Sequence, residues 1–168
     1  MLRFRKLINK ETLLKLYQAF ILPHFHYCSS VWHFCGARNA DKVDNLNKHI
    51  LRSILPDYSS PYDILLSKVN IKSLFIRRLQ NVMMTLYKSL FFTNYPGYLK
   101  DLFTVRSSSY NLRGNHILVL PNPKTTTYGL QSFSYLASKI WNSLPDTYKT
   151  LHFLEFKQDI LRYEAFPQ

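Results

Sequence analysis

Three histidines and both cysteines of this chain lie in one segment, Tyr17 to Ala37, that contains no Lys, Arg, Asp or Glu. Imidazole and thiolate groups are the usual zinc ligands, so the first chemistry to consider is metal binding by His24, His26, Cys28, His33 and Cys35. On a helix, at about 100° per residue, the cysteines share a face with His24, and the other two histidines lie opposite. No CxxC pair is present. We therefore expect no metal site and no cofactor, and interpret these histidines as partly buried core residues.

The same segment is about long enough to span a bilayer. Polar residues interrupt it, however, and each polar group in hydrocarbon costs several kcal/mol unless it is paired. The N-terminal residues predict no secretory signal because charged residues interrupt any apolar stretch there. Two cysteines are too few for a disulfide scaffold. The sequence predicts no membrane span and an intracellular protein, in the nucleus or the cytoplasm.

No arrangement typical of a catalytic centre is visible. GxSxG, GxGxxG and phosphate-loop motifs are absent. Two-metal phosphoryl transfer needs clustered carboxylates, and the acidic residues here are scattered. The nearest pair, Asp41 and Asp44, is explained by the first turn of a helix, where carboxylates favour the helix dipole. The residues therefore predict a protein that is not an enzyme.

Apolar spacing predicts helices through the first half of the chain. Asn9 caps a first helix that Pro23 ends or kinks, a second runs from about His24 to Trp32, and a third follows a turn near Gly36. The third helix, Ala40 to about Leu55, has an apolar face of Val43, Leu46, Ile50 and Ile54. Its opposite side carries Lys42, Asn45, His49 and Arg52.

A serine cap predicts the first of the next two helices. Ser60, followed by Pro61 and Asp63, indicates the start of a short helix to about Val69. A longer helix is expected from Ser73 to Phe92, with an apolar stripe of Phe75, Leu79, Val82, Met83, Leu86 and Leu90.

The amino-acid composition changes after Phe103, where Ser, Thr, Asn and Pro become frequent. The pieces SSYNLRG, HILVLP and TTTYGL predict two or three short β-strands. Helices from about Leu130 to Leu144 and from Leu151 to Tyr163 follow. The fold class is thus predicted as mainly α: a helical bundle over residues 1–103, and a C-terminal extension over 104–168 with short strands and two helices.

The charge balance favours a polyanionic partner. Lys and Arg number 22 against 10 Asp and Glu, a formal net charge of +12, and nucleic acid is the leading partner class. The candidates for contacting its backbone lie on the basic faces of the predicted helices: Lys42, His49, Arg52, Arg77, Arg78 and Lys88. Weaker candidates come from the loop-rich segment: Arg106, Arg113 and Lys124. A solvated polar face is the alternative interpretation. Four aromatic residues could stack on bases, although large aromatic residues at helical spacing more often belong to a core: Trp32, Tyr27, Trp141 and Tyr128.

The order of motifs resembles a known family. LYQAFILPHFHYCSSVW, then LNKHILRSI, YSSPYDILL and SLFIRRLQNVMMTLYKSL, are similar to the region that follows the palm in reverse transcriptases of non-LTR, LINE-like retrotransposons of the jockey type. YLKDLFTVRSSSYNLRG and TTTYGLQSFSYLASKIWNSLP extend the resemblance over nearly the whole chain.

The resemblance implies a thumb-like helical domain beside the template–primer duplex, with RNA or RNA–DNA as ligand and the palm domain as a further partner. The polymerase carboxylates and the endonuclease of such elements belong to upstream domains. The expectation is a fragment without its own catalytic centre that binds nucleic acid without sequence specificity. Two alternatives stay open: a host-adapted protein-interaction module and an inert translated fragment.

Overall fold

The fold is that of a computed structural model, which describes residues 7–106 and 117–166, except for the side chains of Thr127 and Tyr128. Within these ranges the protein is mainly helical, as predicted. No described helix is both long and apolar enough to cross a bilayer. The α-helices are α1 (Lys10–Leu16), α2 (Leu22–His26), α3 (Ser29–Trp32), α4 (Ala37–Ile54), α5 (Tyr62–Val69), α6 (Leu74–Phe91), α7 (Gly97–Lys100), α8 (Phe133–Ser143), α9 (Asp146–Lys149) and α10 (Phe153–Arg162).

The chain forms two compact units, Met1–Arg78 and Leu79–Gln168, called here the first and the second unit. The division falls inside α6, whose residues up to Arg78 belong to the first unit. The domain boundary after Phe103 stays a prediction, because compactness of a unit is a different property from independent folding.

The N-terminal helix begins as the sequence predicts. The Asn9 side chain accepts a hydrogen bond from the backbone N–H of Thr12 at 2.8 Å, which satisfies one of the free donors of the first turn of α1. Beyond α1 the chain continues as a π-helical turn, Tyr17–Ile21, directly into α2, so the helical path passes Pro23. This path ends at His26, and Cys28, which has a left-handed φ of 48°, precedes α3. The single helix predicted from His24 to Trp32 is therefore two short helices.

The buried side of α4 is rotated from the predicted apolar face, of which Ile54 is buried and Val43 and Ile50 are partly buried against the core. Leu46 is exposed, whereas Asn47, Leu51 and Ile54 are buried. These three share one side of α4 at the four-and-three spacing. They face a core whose buried apolar members are Leu13, Tyr17, Leu22, Phe25, Leu51, Ile54, Leu65, Leu66, Ile71 and Leu74.

The predicted cap at Ser60 is wrong, whereas Ser73, the predicted first residue of the next helix, caps that helix. The Ser73 hydroxyl accepts from the backbone N–H of Ile76 at 3.3 Å and so caps α6. The Ser60 hydroxyl instead donates to the Asp57 carboxylate at 2.7 Å, and Pro61 occupies the cap position of α5 without a side-chain bond. Asp57 competes for Ser60 because it lies three residues earlier in the same turn.

The second unit is built around an aromatic cluster. Trp141 of α8 and Phe156 of α10 are fully buried, and the Tyr87 ring of α6 stacks on Phe156 with centroids 4.5 Å apart. The Tyr87 hydroxyl donates to the Leu151 carbonyl at 2.7 Å, which leaves no unpaired polar group on that ring. The two predicted C-terminal helices thus exist, and aromatic packing holds them against α6.

The predicted β-strands do not form within the described residues. In place of a strand at HILVLP there is one antiparallel bridge between Val105 and Leu118. The other edge of Leu118 is occupied by the Asn142 side chain, which accepts from its N–H at 2.9 Å and donates to its carbonyl at 2.8 Å. A side-chain amide thus takes the place of a further strand.

The predicted strand TTTYGL is a π-helical turn, Thr126–Leu130. The backbone N–H groups of Gly129 and Leu130 both donate to the Thr125 carbonyl. Gly129 is required here, because a Cβ atom added to it would lie 2.3 Å from the Cβ of Pro123. SSYNLRG, the third predicted strand, lies outside the described residues.

Candidate nucleic-acid interface

One face of α4 carries a row of exposed polar and basic side chains. Arg38, Lys42, Asn45 and His49 are all exposed and follow one another at the spacing of a single helix face. Arg52 continues the row but is half-buried, and its Nη2 donates to the Ser60 carbonyl at 3.2 Å. We name the four exposed residues the basic row. Three of the predicted backbone contacts, Lys42, His49 and Arg52, therefore lie on one side of α4.

Arg38 is the member of the basic row that sequence reasoning missed. The predicted helix began at Ala40, whereas α4 begins at Ala37, after the Gly36 carbonyl accepts from the N–H groups of Asn39 and Ala40. The earlier start adds one turn and brings Arg38 onto the face of Lys42. Gly36 was the signal in the sequence for this earlier start of α4, because glycine is acceptable at the N-cap position of a helix.

The opposite side of α4 is held by a buried hydrogen-bond network. The Tyr17 hydroxyl donates to Asn47 Oδ1 at 2.7 Å, and Asn47 Nδ2 donates to the Tyr62 hydroxyl at 2.7 Å. Burial raises the pKa of both phenols, that of Tyr62 to about 12, so both remain neutral at physiological pH. The network joins α4 to the π-helical turn and to α5 and thereby fixes which face of α4 is outside.

Arg77 and Arg78 lie outside the basic row. Arg78 is only 3% exposed, and its guanidinium carbon lies 5.1 Å from the Trp32 ring centroid and 5.9 Å from that of Phe75. Arg77 is half-buried, and its Nε has no hydrogen-bond partner. Neither guanidinium is exposed as the side chains of the basic row are. Contact with a nucleic-acid backbone would need both arginine side chains to move outward.

The remaining basic candidates belong to other parts of the chain. Lys88, in the second unit, is half-buried, with its Nζ 5.4 Å from the centroid of the Phe153 ring. Arg106 and Lys124 are exposed, and Arg113 lies outside the described residues. These candidates stay predictions, whereas the row on α4 is a continuous surface within one unit.

The four candidate stacking residues have different environments. Trp141 is fully buried in the aromatic cluster and presents no face to a ligand. Trp32 is half-buried, and its indole N–H donates to the Tyr27 carbonyl at 2.8 Å. Tyr27 is exposed, as are the apolar side chains of Phe20 and Val31, each more than two thirds accessible. The side chain of Tyr128 is outside the described set.

Buried ionisable groups surround Arg78. Burial, reinforced by the positive charge of Arg78, lowers the pKa of His33 to about 4. Burial also lowers the pKa of Arg78, against the opposing charge of Asp44. The pKa of Asp44 is itself raised, chiefly by burial. This part of the first unit therefore holds a neutral imidazole, a guanidinium and a carboxylate together, of which only Arg78 is almost fully buried.

The protonation of His33 predicts a pH-dependent stability. The folded pKa of about 4 is below the ordinary value of 6.5, so the unfolded chain binds the proton more tightly. We expect full stability above pH 6.5 and a loss of about 1 to 2 kcal/mol by pH 5, at about 1.4 kcal/mol per pKa unit and reduced for partial exposure. Urea unfolding at pH 7.5 and pH 5 measures it.

The His33→Gln variant should lose most of this pH dependence. His24→Gln is the matched control, since His24 is exposed on α2. A wild-type slope retained in His33→Gln would contradict the assignment of the pH dependence to His33.

Among the described residues, no three His, Cys, Asp or Glu side chains are grouped so as to hold a metal ion. Comparison with known proteins adds no assignment: no protein family, no curated protein and no solved structure matches the chain. The geometry of α4 and the charge of the chain are therefore the features that bear on function.

Proposed function

We propose that the protein is a non-catalytic, basic helical module that binds RNA or RNA–DNA duplex through the phosphate backbone without sequence specificity. The basic row of α4 carries this proposal. Its four members are exposed together, and the opposite face of the same helix is fixed by Asn47. The net charge of +12 supplies the long-range attraction to a polyanion.

The dimensions of the row suit a phosphate backbone. From Arg38 to His49 the helix rises by about 16 Å, at about 1.5 Å per residue, which is long enough to follow several consecutive phosphates. Arginine, lysine and asparagine side chains all donate hydrogen bonds to phosphate oxygens. Such contacts position a helix along the duplex without reading the sequence of bases.

The motif resemblance gives this module a context. In our proposal it is the thumb-like part of a non-LTR retrotransposon RNA-directed DNA polymerase, and it acts in the nucleus or the cytoplasm. The palm domain of the parent enzyme, which would carry the polymerase carboxylates, is the protein partner. The module holds the template–primer duplex and contributes no group to the chemical step.

Salt titration of duplex binding tests the proposal. We expect the affinity for an RNA–DNA duplex to fall steeply with salt and to depend little on sequence. The double variant Arg38→Gln and Lys42→Gln should reduce the slope of log affinity against log salt by about 1.5 to 2, since each lost phosphate contact removes about 0.9. Fluorescence anisotropy with a labelled duplex measures both quantities.

A charge-matched control separates the basic row from net charge. Lys139→Gln with Lys157→Gln removes the same charge from exposed positions on α8 and α10. We expect this control to retain a slope within about 0.5 of the wild type. Equal effects of the two double variants, or affinity that does not change with salt, would overturn the assignment to α4.

One observation favours the interaction-module alternative. Phe20, Tyr27 and Val31 are exposed apolar side chains in a segment without charged residues, and exposed apolar surface is typical of protein contacts. Phe20→Ser with Val31→Ser distinguishes the two functions. Loss of a protein partner with unchanged duplex binding would favour the alternative.

A further inference from the structure

Arg78 has hydrogen-bonding capacity that the protein does not use. Its side chain is 3% exposed, yet Nε and Nη1 have no hydrogen-bond partner. A buried charge without a protein acceptor is costly unless another group supplies one, because burial removes it from bulk water. Trp32 stabilises the cation through its ring face at 5.1 Å but accepts no conventional hydrogen bond. The unpaired N–H groups indicate a missing acceptor.

A second unpaired group, His33, lies near the Phe75 ring, which Arg78 also approaches. His33 Nδ1 is buried without a partner, and the His33 and Phe75 ring centroids are 5.6 Å apart. Arg78 approaches that ring to 5.9 Å. Phe75 is 41% exposed, so the ring that both groups approach lies partly at the surface.

The nearby carboxylate also has an unused atom. Asp44 Oδ1 is buried and has no partner, although the charges of Asp44 and Arg78 act on each other. Arg78 therefore leaves its own donors and this acceptor both unpaired. A group that completes the cluster has to accept from Arg78 and also donate to Asp44. Sulfate and phosphodiesters, which carry no hydroxyl proton near neutral pH, fail the second requirement.

We propose that Arg78, His33 and Asp44 form a binding site for a phosphate monoester or inorganic phosphate, with Phe75 as its outer wall. The oxygens of the ligand accept from Arg78 and from the His33 ring. Its remaining hydroxyl donates to Asp44 Oδ1. This site is distinct from the basic row, and duplex binding by α4 does not require it. A nucleic acid would occupy it through a terminal phosphate and not through its backbone.

Thermal unfolding with inorganic phosphate as the probe tests the site. At pH 6, near the second ionisation of a phosphate monoester, we expect phosphate to raise the unfolding temperature with the logarithm of its concentration, by about 5 to 10 °C at a hundredfold excess over its dissociation constant. Sulfate at matched ionic strength should give less than about a third of that shift, because it has no proton for Asp44. Equal shifts for the two anions would overturn the proposal.

Two variants and a control locate the effect. Arg78→Met should abolish the phosphate-dependent shift, and the free variant should unfold at or above the wild-type temperature, since a buried unpaired charge has been removed. Asp44→Asn should bind sulfate as well as phosphate, because an amide donates where the carboxylate accepts. Lys15→Met, which removes one positive charge at an exposed position of α1 in the same unit, should keep the wild-type shift. A shift retained in Arg78→Met would place binding elsewhere.

The source of the phosphate is distinguished by oligonucleotides. Tighter binding of a 5′-phosphorylated strand than of its 5′-hydroxyl form, lost in Arg78→Met, identifies a nucleic-acid end as the ligand. Equal binding of the two strands together with a retained response to inorganic phosphate identifies the free anion. No response to any of these probes would sink the proposal while leaving salt-dependent duplex binding intact.

Discussion

Asn47→Ala should destabilise the first unit by about 3 to 4 kcal/mol, one of the largest effects expected of any single change in this chain. The substitution removes both hydrogen bonds of the amide and leaves the Tyr17 hydroxyl buried without a partner. An unsatisfied buried hydroxyl costs about 1 to 3 kcal/mol, and the cavity adds to that. Urea unfolding monitored by circular dichroism measures the change.

Two companion variants identify the cause. Asn45→Ala makes the same substitution at an exposed position of α4 and should change stability by less than about 0.5 kcal/mol. Tyr17→Phe combined with Asn47→Leu removes the donor and the acceptor together and should recover about 2 kcal/mol relative to Asn47→Ala. A cost below about 1 kcal/mol for Asn47→Ala would show that the network contributes little.

Phe156→Ala is the corresponding change in the second unit, with an expected cost of about 4 kcal/mol. Phe156 is fully buried, its ring stacks on Tyr87, and its centroid lies 6.0 Å from that of Trp141. Truncation removes the contacts that hold α10 against α6 and α8. Denaturant unfolding followed by tryptophan fluorescence measures the loss.

Leu154→Ala is the control on the same helix, because Leu154 is exposed, and its cost should stay below about 1 kcal/mol. Phe156→Leu, which keeps more of the volume, should fall between the two. Equal destabilisation by Leu154→Ala and Phe156→Ala would contradict the position of the core.

Local signals in the sequence predicted the helices well. Asn9 and Ser73 cap their helices, and each accepts from the backbone N–H three residues later. Ser60 has the same pattern but bonds to Asp57, and the spacing alone does not rank the two possibilities. Helix existence is therefore a local property here, whereas a particular cap depends on what lies nearby.

Apolar spacing predicted the orientation of α4 only in part. Asn47 counts as a surface residue in any hydrophobic pattern, and its burial depends on two tyrosines that are distant in sequence. The predicted apolar face therefore included Leu46, which is exposed, and did not include Asn47, which is buried. The polar face was predicted correctly, because exposed side chains need no specific partner.

The same distinction applies to the predicted site residues: exposed positions follow from the helix alone, whereas buried positions depend on tertiary contacts. Lys42 and His49 are where a helical face would put them. Arg78 is not, because its burial depends on Trp32 and Phe75, which pack against its guanidinium. A basic residue on a predicted helix was treated as a surface charge, and only tertiary contacts reveal the exception. The strand prediction at TTTYGL failed similarly, since alternation does not detect the contact between Gly129 and Pro123.

The exposed side chains of Phe20, Tyr27 and Val31 have a consequence for the colloidal behaviour of the protein. Copies that carry a net charge of +12 repel each other at low salt, and this repulsion keeps their uncharged aromatic surfaces apart. At about 1 M salt the screening length falls to about 3 Å, so the repulsion disappears while the apolar attraction remains. High salt therefore releases a bound polyanion and also brings copies of the protein together. Solubility and duplex affinity both decrease as the salt concentration rises.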